Sequence, residues 1–160
     1  TIVRPFNTYG PCQSARAIIP TIITQIASGV REIKVGDLTP TRDFNYVEDT
    51  ARGFLAIARA EIDKVAGQEI NIATGREVTM EHTLHTIARL MGADVDWVVD
   101  PQRLRPSKSE VRRLLGSAEK LRALTGWEPR FTLEQGLQKT IEWFTDPNNL
   151  KRYKSNIYNQ

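Results

Sequence analysis

Three separated stretches of this sequence carry amide and guanidinium groups suited to holding an anion. The first is Arg4-Pro5-Phe6-Asn7-Thr8-Tyr9-Gly10-Pro11, whose Asn7 amide can donate to a phosphate or sugar oxygen. The second is Thr41-Arg42-Asp43-Phe44, in which Arg42 follows a glycine- and proline-bearing loop and Asp43 could hold the guanidinium or cap the loop. The third is Arg103-Leu104-Arg105-Pro106-Ser107, where Pro106 biases Arg105 to an extended backbone. Arginine's planar fork of donors binds two oxygens at once and so suits a diphosphate. On composition alone the plainer account wins, in which Arg42 beside Asp43 is a surface ion pair.

Other chemistries find less support. His82 and His85 lie at helical spacing and could bring two imidazoles together, but no third metal ligand has a sensible spacing. Cys12 has no evident His partner that would make it a nucleophile. Glu48 and Asp49 are adjacent and point in different helical directions, which argues against a paired acid/base site. Trp127 and Trp143 read as packing residues.

The elements that must position these groups come from a chain of 160 residues, 40% hydrophobic, enough for one ordinary domain with a core. No run approaches the roughly 20 apolar residues of a membrane span, and no signal peptide is visible. A single cysteine excludes an internal disulfide framework and fits a cytoplasmic protein. The net charge of +3 is too mild to imply nucleic acid by itself. The basic residues are uneven, however: Arg103, Arg105, Lys108, Arg112, Arg113, Lys120 and Arg122 are opposed locally only by Glu110 and Glu119.

The β-branched run Thr1-Ile2-Val3 reads as a strand that ends in a turn-rich loop carrying Asn7 and Tyr9, since Pro5, Gly10 and Pro11 oppose helix. Ile18, Ile19, Ile22, Ile23 and Ile26 predict a helix over 17–27, stopped by Ser28-Gly29. Ile33 to Val35 is a short strand, residues 42–46 are extended, and a helix runs from Val47 to about Ile62 with Glu48 and Asp49 in its first turn. Glu69 to Ala73 is a strand, Thr79 caps a helix closed by Gly92, and Val95 to Val99 is a further strand. Pro101 to Ser109 is loop, Val111 to Leu115 is extended, and Ser117 caps a short helix ending at Gly126. Thr132 and Gln135 form a capping box for a helix that stops near Pro147, and residues 148–160 form a polar, loosely held tail. Strands and helices alternate, so the class is α/β.

In their order and spacing these residues carry a resemblance. Arg4 to Pro11, Ile19-Pro20, Gly36 with Thr41 to Asp49, Asn71 to Val78, Arg105-Pro106-Ser107, and Leu124 to Pro129 with Leu133 to Leu137 and Trp143 look like the C-terminal half of the extended short-chain dehydrogenase/reductases. The likeness covers residues 1–147 and is strongest to the NAD-dependent nucleotide-sugar epimerase/dehydratases, particularly the sugar 4,6-dehydratases. It implies a substrate-binding lobe plus the last strands of a Rossmann-type parallel sheet, as part of a two-lobed enzyme. It also implies roles. Asn7 matches the asparagine that contacts the diphosphate, and Arg42 and Arg105 match the two arginines that clamp it. Pro5 and Phe6 match positions along the nicotinamide of NAD, with NADP left open. Asn71 matches a position near the nucleotide, and Ile19 and Val35 would line the nucleoside pocket. Asp43 and Asp49 would orient Arg42 and cap the helix. A basic residue is frequent in such relatives where Cys12 stands.

The chemistry implied is oxidation of the sugar C4 hydroxyl, loss of water across C5 and C6, and return of the hydride, or 4-epimerisation by the same family of enzymes. The family's Tyr-x-x-x-Lys pair and Gly-rich loop do not occur in these residues, because Tyr9 is followed at that spacing by Gln13 and Tyr46 by Thr50. The 160 residues are therefore expected to be inactive alone and to supply the side of the site that binds a nucleotide-diphosphate sugar. The resemblance further implies a homodimer for the full-length protein. Two other classes stay open: a non-enzymatic ligand- or nucleic-acid-binding descendant of the fold, and a free-standing binding module.

Overall fold

The structure, a computed structural model, describes residues 1–104, 106 and 110–153. Arg105 and Ser107 therefore lie outside the described residues, as does the tail beyond Tyr153.

Strand β1 (Ile2–Pro5) breaks at Phe6 and resumes as β2 (Asn7–Tyr9). Asn7 and Tyr9 thus sit on a strand and not in the expected turn-rich loop. Proline excludes helix, but its fixed φ is compatible with an extended backbone where no ladder donor is required. After Tyr9 the isoleucine stripe forms α1 (Ile18–Ala27). Pro20 is tolerated there because it lies in the first turn, where backbone N–H groups have no helical partner. Strand β3 (Glu32–Val35) follows. The buried Gln25 amide joins α1 to it, donating to Lys34 O at 3.1 Å and accepting from Lys34 N at 2.9 Å.

The 41–46 segment is two strands, β4 (Thr41–Arg42) and β5 (Phe44–Tyr46), interrupted at Asp43. Helix α2 (Val47–Arg59) ends three residues before the expected Ile62, because Ala60 turns extended, and a single turn, α3 (Ile62–Val65), follows. Then come β6 (Glu69–Ile72), β7 (Val78–Thr79) and α4 (Met80–Leu90), the last capped as expected by the Thr79 hydroxyl accepting from His82 N at 3.0 Å. Strand β8 (Asp96–Val99) leads into a 3₁₀ turn at Pro101–Arg103 within the expected loop. Helix α5 (Glu119–Thr125) has Ala118 at its N-cap position, while the Ser117 hydroxyl accepts from Glu119 N at 3.3 Å. Helix α6 (Leu133–Thr145) opens on the expected Thr132–Gln135 capping box, and α7 (Pro147–Leu150) follows. Tyr153 then packs on Phe144 with ring centroids 4.9 Å apart.

The strands pair in twos. β1 runs parallel to β6, β2 to β5 and β3 to β8, while β4 and β7 are antiparallel. At Phe6 the opening strand changes partner: Phe6 N still donates to Ile72 O at 2.9 Å, and Asn7 already stands in register with Phe44. Two apolar clusters result. One joins α1, α4 and α6 through Ile22, Ile23, Leu84, Ile87, Leu137 and Phe144; the other packs Ile57, Ile70, Ile72, Leu121 and Trp127. Each such side chain contributes about 1.5–3 kcal/mol on full burial. Ile2, Phe54 and Leu55 remain exposed on the β1 and α2 side.

Tyr9 ends β2 inside the first cluster, its hydroxyl donating to Leu133 O at 3.0 Å. Burial pushes its phenol well above the ordinary value of 10.0, with Tyr46 and Asp49 adding to the effect. A phenol raised in the folded state contributes stability that is full below the unfolded value and is lost as pH rises above it toward the folded one. Alkaline denaturation is therefore expected to set in above about pH 10, and Tyr9→Phe is expected to flatten that limb of the pH–stability curve. Urea titrations between neutral and alkaline pH check this.

Candidate substrate cleft

Several strands and helices meet around a cleft of about 340 Å³. Strand β2 supplies Asn7 and Thr8, α1 supplies Ile18 and Ile19, the end of β3 supplies Val35, and β4 supplies Arg42. Met80, at the start of α4, and the Arg103-Leu104 turn complete the wall. Gly36 lets that turn approach closely, since a Cβ there would lie 2.7 Å from the Arg103 carbonyl oxygen. Of the residues singled out from sequence, Asn7, Ile19, Val35 and Arg42 thus come together. Pro5, Phe6 and Asn71 do not line this cleft: they belong to the β1 and β6 end of the neighbouring strand pair, where Asn71 stands in register with Arg4. Arg105 lies outside the described residues.

The Arg42 guanidinium is held, but not by Asp43. Its Nη1 donates to Thr41 O at 2.8 Å and Val111 O at 2.6 Å, and its Nη2 donates to Glu110 Oε1 at 2.7 Å. Side chains of adjacent extended residues point to opposite faces, which sends Asp43 away from Arg42. Asp43 is fully buried and accepts from Thr74 N at 2.9 Å, Thr74 Oγ1 at 2.6 Å, Gly75 N at 2.9 Å and Gly116 N at 3.3 Å. It is a junction between loops and does not orient the arginine. Asp49 likewise does not cap α2, whose N-cap, Tyr46, makes no side-chain capping bond. Its buried carboxylate pairs with Arg52 and accepts from Arg130 N and Phe131 N, tying the approach to α6 onto α2.

Arg103 and Arg112 of the basic stretch line the cleft as well, together with Arg16, Asp37 and Glu110, which sequence reasoning did not single out for it. The available signal was the cluster of arginines around Arg105 with Glu110 beside it. Asp37 is held below the usual carboxylate range, first by the Thr39 N–H, then by the Thr39 hydroxyl, with the Arg112 charge adding to them. Much of the basic stretch is paired: Arg103 with Asp100 at 3.2 Å, Arg113 with Glu77 at 2.6 Å, and Arg122 with Glu128. A phosphate backbone is bound by Lys and Arg charge turned toward it, and these three arginines turn theirs toward carboxylates.

Cys12 is exposed on the loop after β2 and does not line the cleft. His85 packs edge-on against Trp97 at 5.0 Å, and no cluster of three or more metal-ligating side chains occurs among the described residues. No helix among them is long and apolar enough to cross a membrane.

Over residues 1–140 the sequence matches the family described as GDP-mannose 4,6 dehydratase. GDP-6-deoxy-D-mannose reductase of Pseudomonas aeruginosa is 32% identical over 149 residues, covering 89% of this chain and 47% of the relative. UDP-glucose 4-epimerase of Mycolicibacterium smegmatis is 34% identical over 146 residues, covering 89% and 44%. Among solved structures, dTDP-glucose 4,6-dehydratase of Bacillus anthracis in complex with NAD matches with a TM-score of 0.77 and 28% identity, over 92% of this chain and 45% of that one. The chain spans about half the length of the curated relatives it matches.

Proposed function

The chain belongs to the GDP-mannose 4,6 dehydratase family, and from that premise we propose that it is the nucleotide-sugar-binding part of an NAD-dependent sugar-nucleotide 4,6-dehydratase. The observation that carries this reading is the convergence of Asn7, Ile19, Val35 and Arg42, from four elements, on one cleft. Ile19 and Val35 offer an apolar wall to a nucleoside, while the Asn7 amide and the Arg42 guanidinium offer donors to a diphosphate. Arg105 is the proposed second arm of that clamp. A 4-epimerase of the same family is the alternative, since the relatives include both activities.

NAD, when bound, would supply the hydride acceptor for the sugar. Pro5 and Phe6, where β1 gives way to β2, are the residues proposed beside the nicotinamide, a placement at a strand end that suits open α/β sheets. No Gly-rich phosphate loop or Tyr-x-x-x-Lys pair occurs in the 160 residues. What this chain contributes is therefore placement of the substrate and neutralisation of its diphosphate.

Calorimetric titration of the full-length protein with GDP-mannose, UDP-glucose and dTDP-glucose tests the reading. Arg42→Ala and Arg105→Ala are each expected to weaken the preferred ligand by about 10- to 100-fold, the worth of charge-assisted hydrogen bonds. Unchanged affinity in both variants would remove the clamp. NMR of the product separates the two activities: a 4-keto-6-deoxy sugar means dehydratase, and an inverted C4 hydroxyl means epimerase.

A further inference from the structure

We propose that Glu110 is a positioning residue for Arg42, fixing the plane of the guanidinium so that one edge of its fork faces the cleft. The inference rests on the nucleotide-sugar reading above and adds to it the residue that shapes the diphosphate contact.

The argument is an inventory of donors. A guanidinium has five N–H groups. Both on Nη1 are used, by Thr41 O and Val111 O, and one on Nη2 is used by Glu110 Oε1. Glu110 and Val111 are consecutive and take one bond from each terminal nitrogen, the arrangement expected of two acceptors set side by side across the end of the fork between Nη1 and Nη2. The N–H of Nε and the second N–H of Nη2 remain, and they form the parallel side edge that matches two oxygens of one phosphate. Arg42 and Glu110 both line the cleft, with side chains only 11% and 14% exposed. A long side chain already ordered in this way has less freedom to lose when the ligand arrives.

The segment that delivers Glu110 is itself anchored to β4. Thr41 N donates to Arg112 O at 2.9 Å and Leu114 N to Thr41 O at 3.2 Å. Glu77 fastens both sides, accepting from Thr41 Oγ1 at 2.8 Å and from Arg113 Nε at 2.8 and 2.9 Å. The rival account makes Glu110 a competing anion that the diphosphate must expel. The two accounts predict opposite signs, and the occupied end edge beside an unoccupied side edge among the described residues favours positioning.

Glu110→Ala and Glu110→Gln in the full-length protein, titrated with GDP, UDP, dTDP, guanosine, uridine and thymidine, decide the matter. Glu110→Ala is expected to weaken the preferred diphosphate about tenfold or more while leaving its nucleoside unchanged. Glu110→Gln, which keeps an acceptor in place, is expected to retain most of the affinity. Tighter diphosphate binding in either variant overturns the proposal in favour of competition. A loss shared equally by nucleoside and diphosphate overturns it as general damage to the cleft, and unchanged binding in both variants overturns it outright. Wild-type protein that binds none of the six probes overturns the nucleotide-sugar reading and this inference together.

Discussion

Gly136→Ala is expected to destabilise the protein by about 2–5 kcal/mol, although alanine is the better helix former by about 1 kcal/mol. Gly136 lies in the first turn of α6, and a Cβ there would overlap the Tyr9 hydroxyl, lie 2.8 Å from Tyr9 Cζ and 3.0 Å from Tyr46 Cδ2. Tyr9 has no room to retreat. It is 1% exposed and stands edge-on to both Phe44 and Tyr46, at 5.9 and 5.7 Å. Either α6 moves away from the sheet or the phenol gives up its bond to Leu133 O. Because Tyr9 and Asn7 share β2, the second response would also disturb the cleft. Urea denaturation provides the measurement, and a loss below about 1 kcal/mol would show that the contact relaxes freely.

Asp43→Ala is expected to cost about 3–5 kcal/mol, for a different reason. The carboxylate is fully buried and receives the N–H groups of Thr74, Gly75 and Gly116 with the Thr74 hydroxyl. Removing it strands several donors at once, among them the N–H of the buried Gly116. Asp43→Asn keeps one oxygen but turns an amide N–H₂ toward a donor, so an intermediate loss is expected. The damage reaches the cleft through Arg42, which precedes Asp43 in the chain. Denaturation curves rank the variants; wild-type stability in Asp43→Ala would mean that the loops do not depend on this junction.

Local signals were legible wherever the physics was local. The isoleucine spacing of α1, the Thr79 cap, the Thr132–Gln135 box and the stop at Gly126 are each set within a few residues of chain, and all appear in the structure. The strand break at Phe6 was not legible, since it is a change of partner and both partners lie far along the chain. Proximity in sequence suggests an ion pair between Asp43 and its neighbour Arg42. The extended backbone separates the two, and the carboxylate finds amides 31 and 73 residues away.

The sequence alone determined the family resemblance and the α/β alternation, and through that resemblance it named Asn7, Ile19, Val35, Arg42, Asn71 and Arg105 as candidate substrate contacts, because motif order and periodicity are written in short stretches. Only the tertiary structure decided what those residues face. It paired Arg42 with Glu110 across 68 positions, set the Tyr9 hydroxyl on Leu133 across 124, and placed Gly136 against that ring. Strand register and helix packing create such contacts, and they act between segments whose separation along the chain carries no local signal.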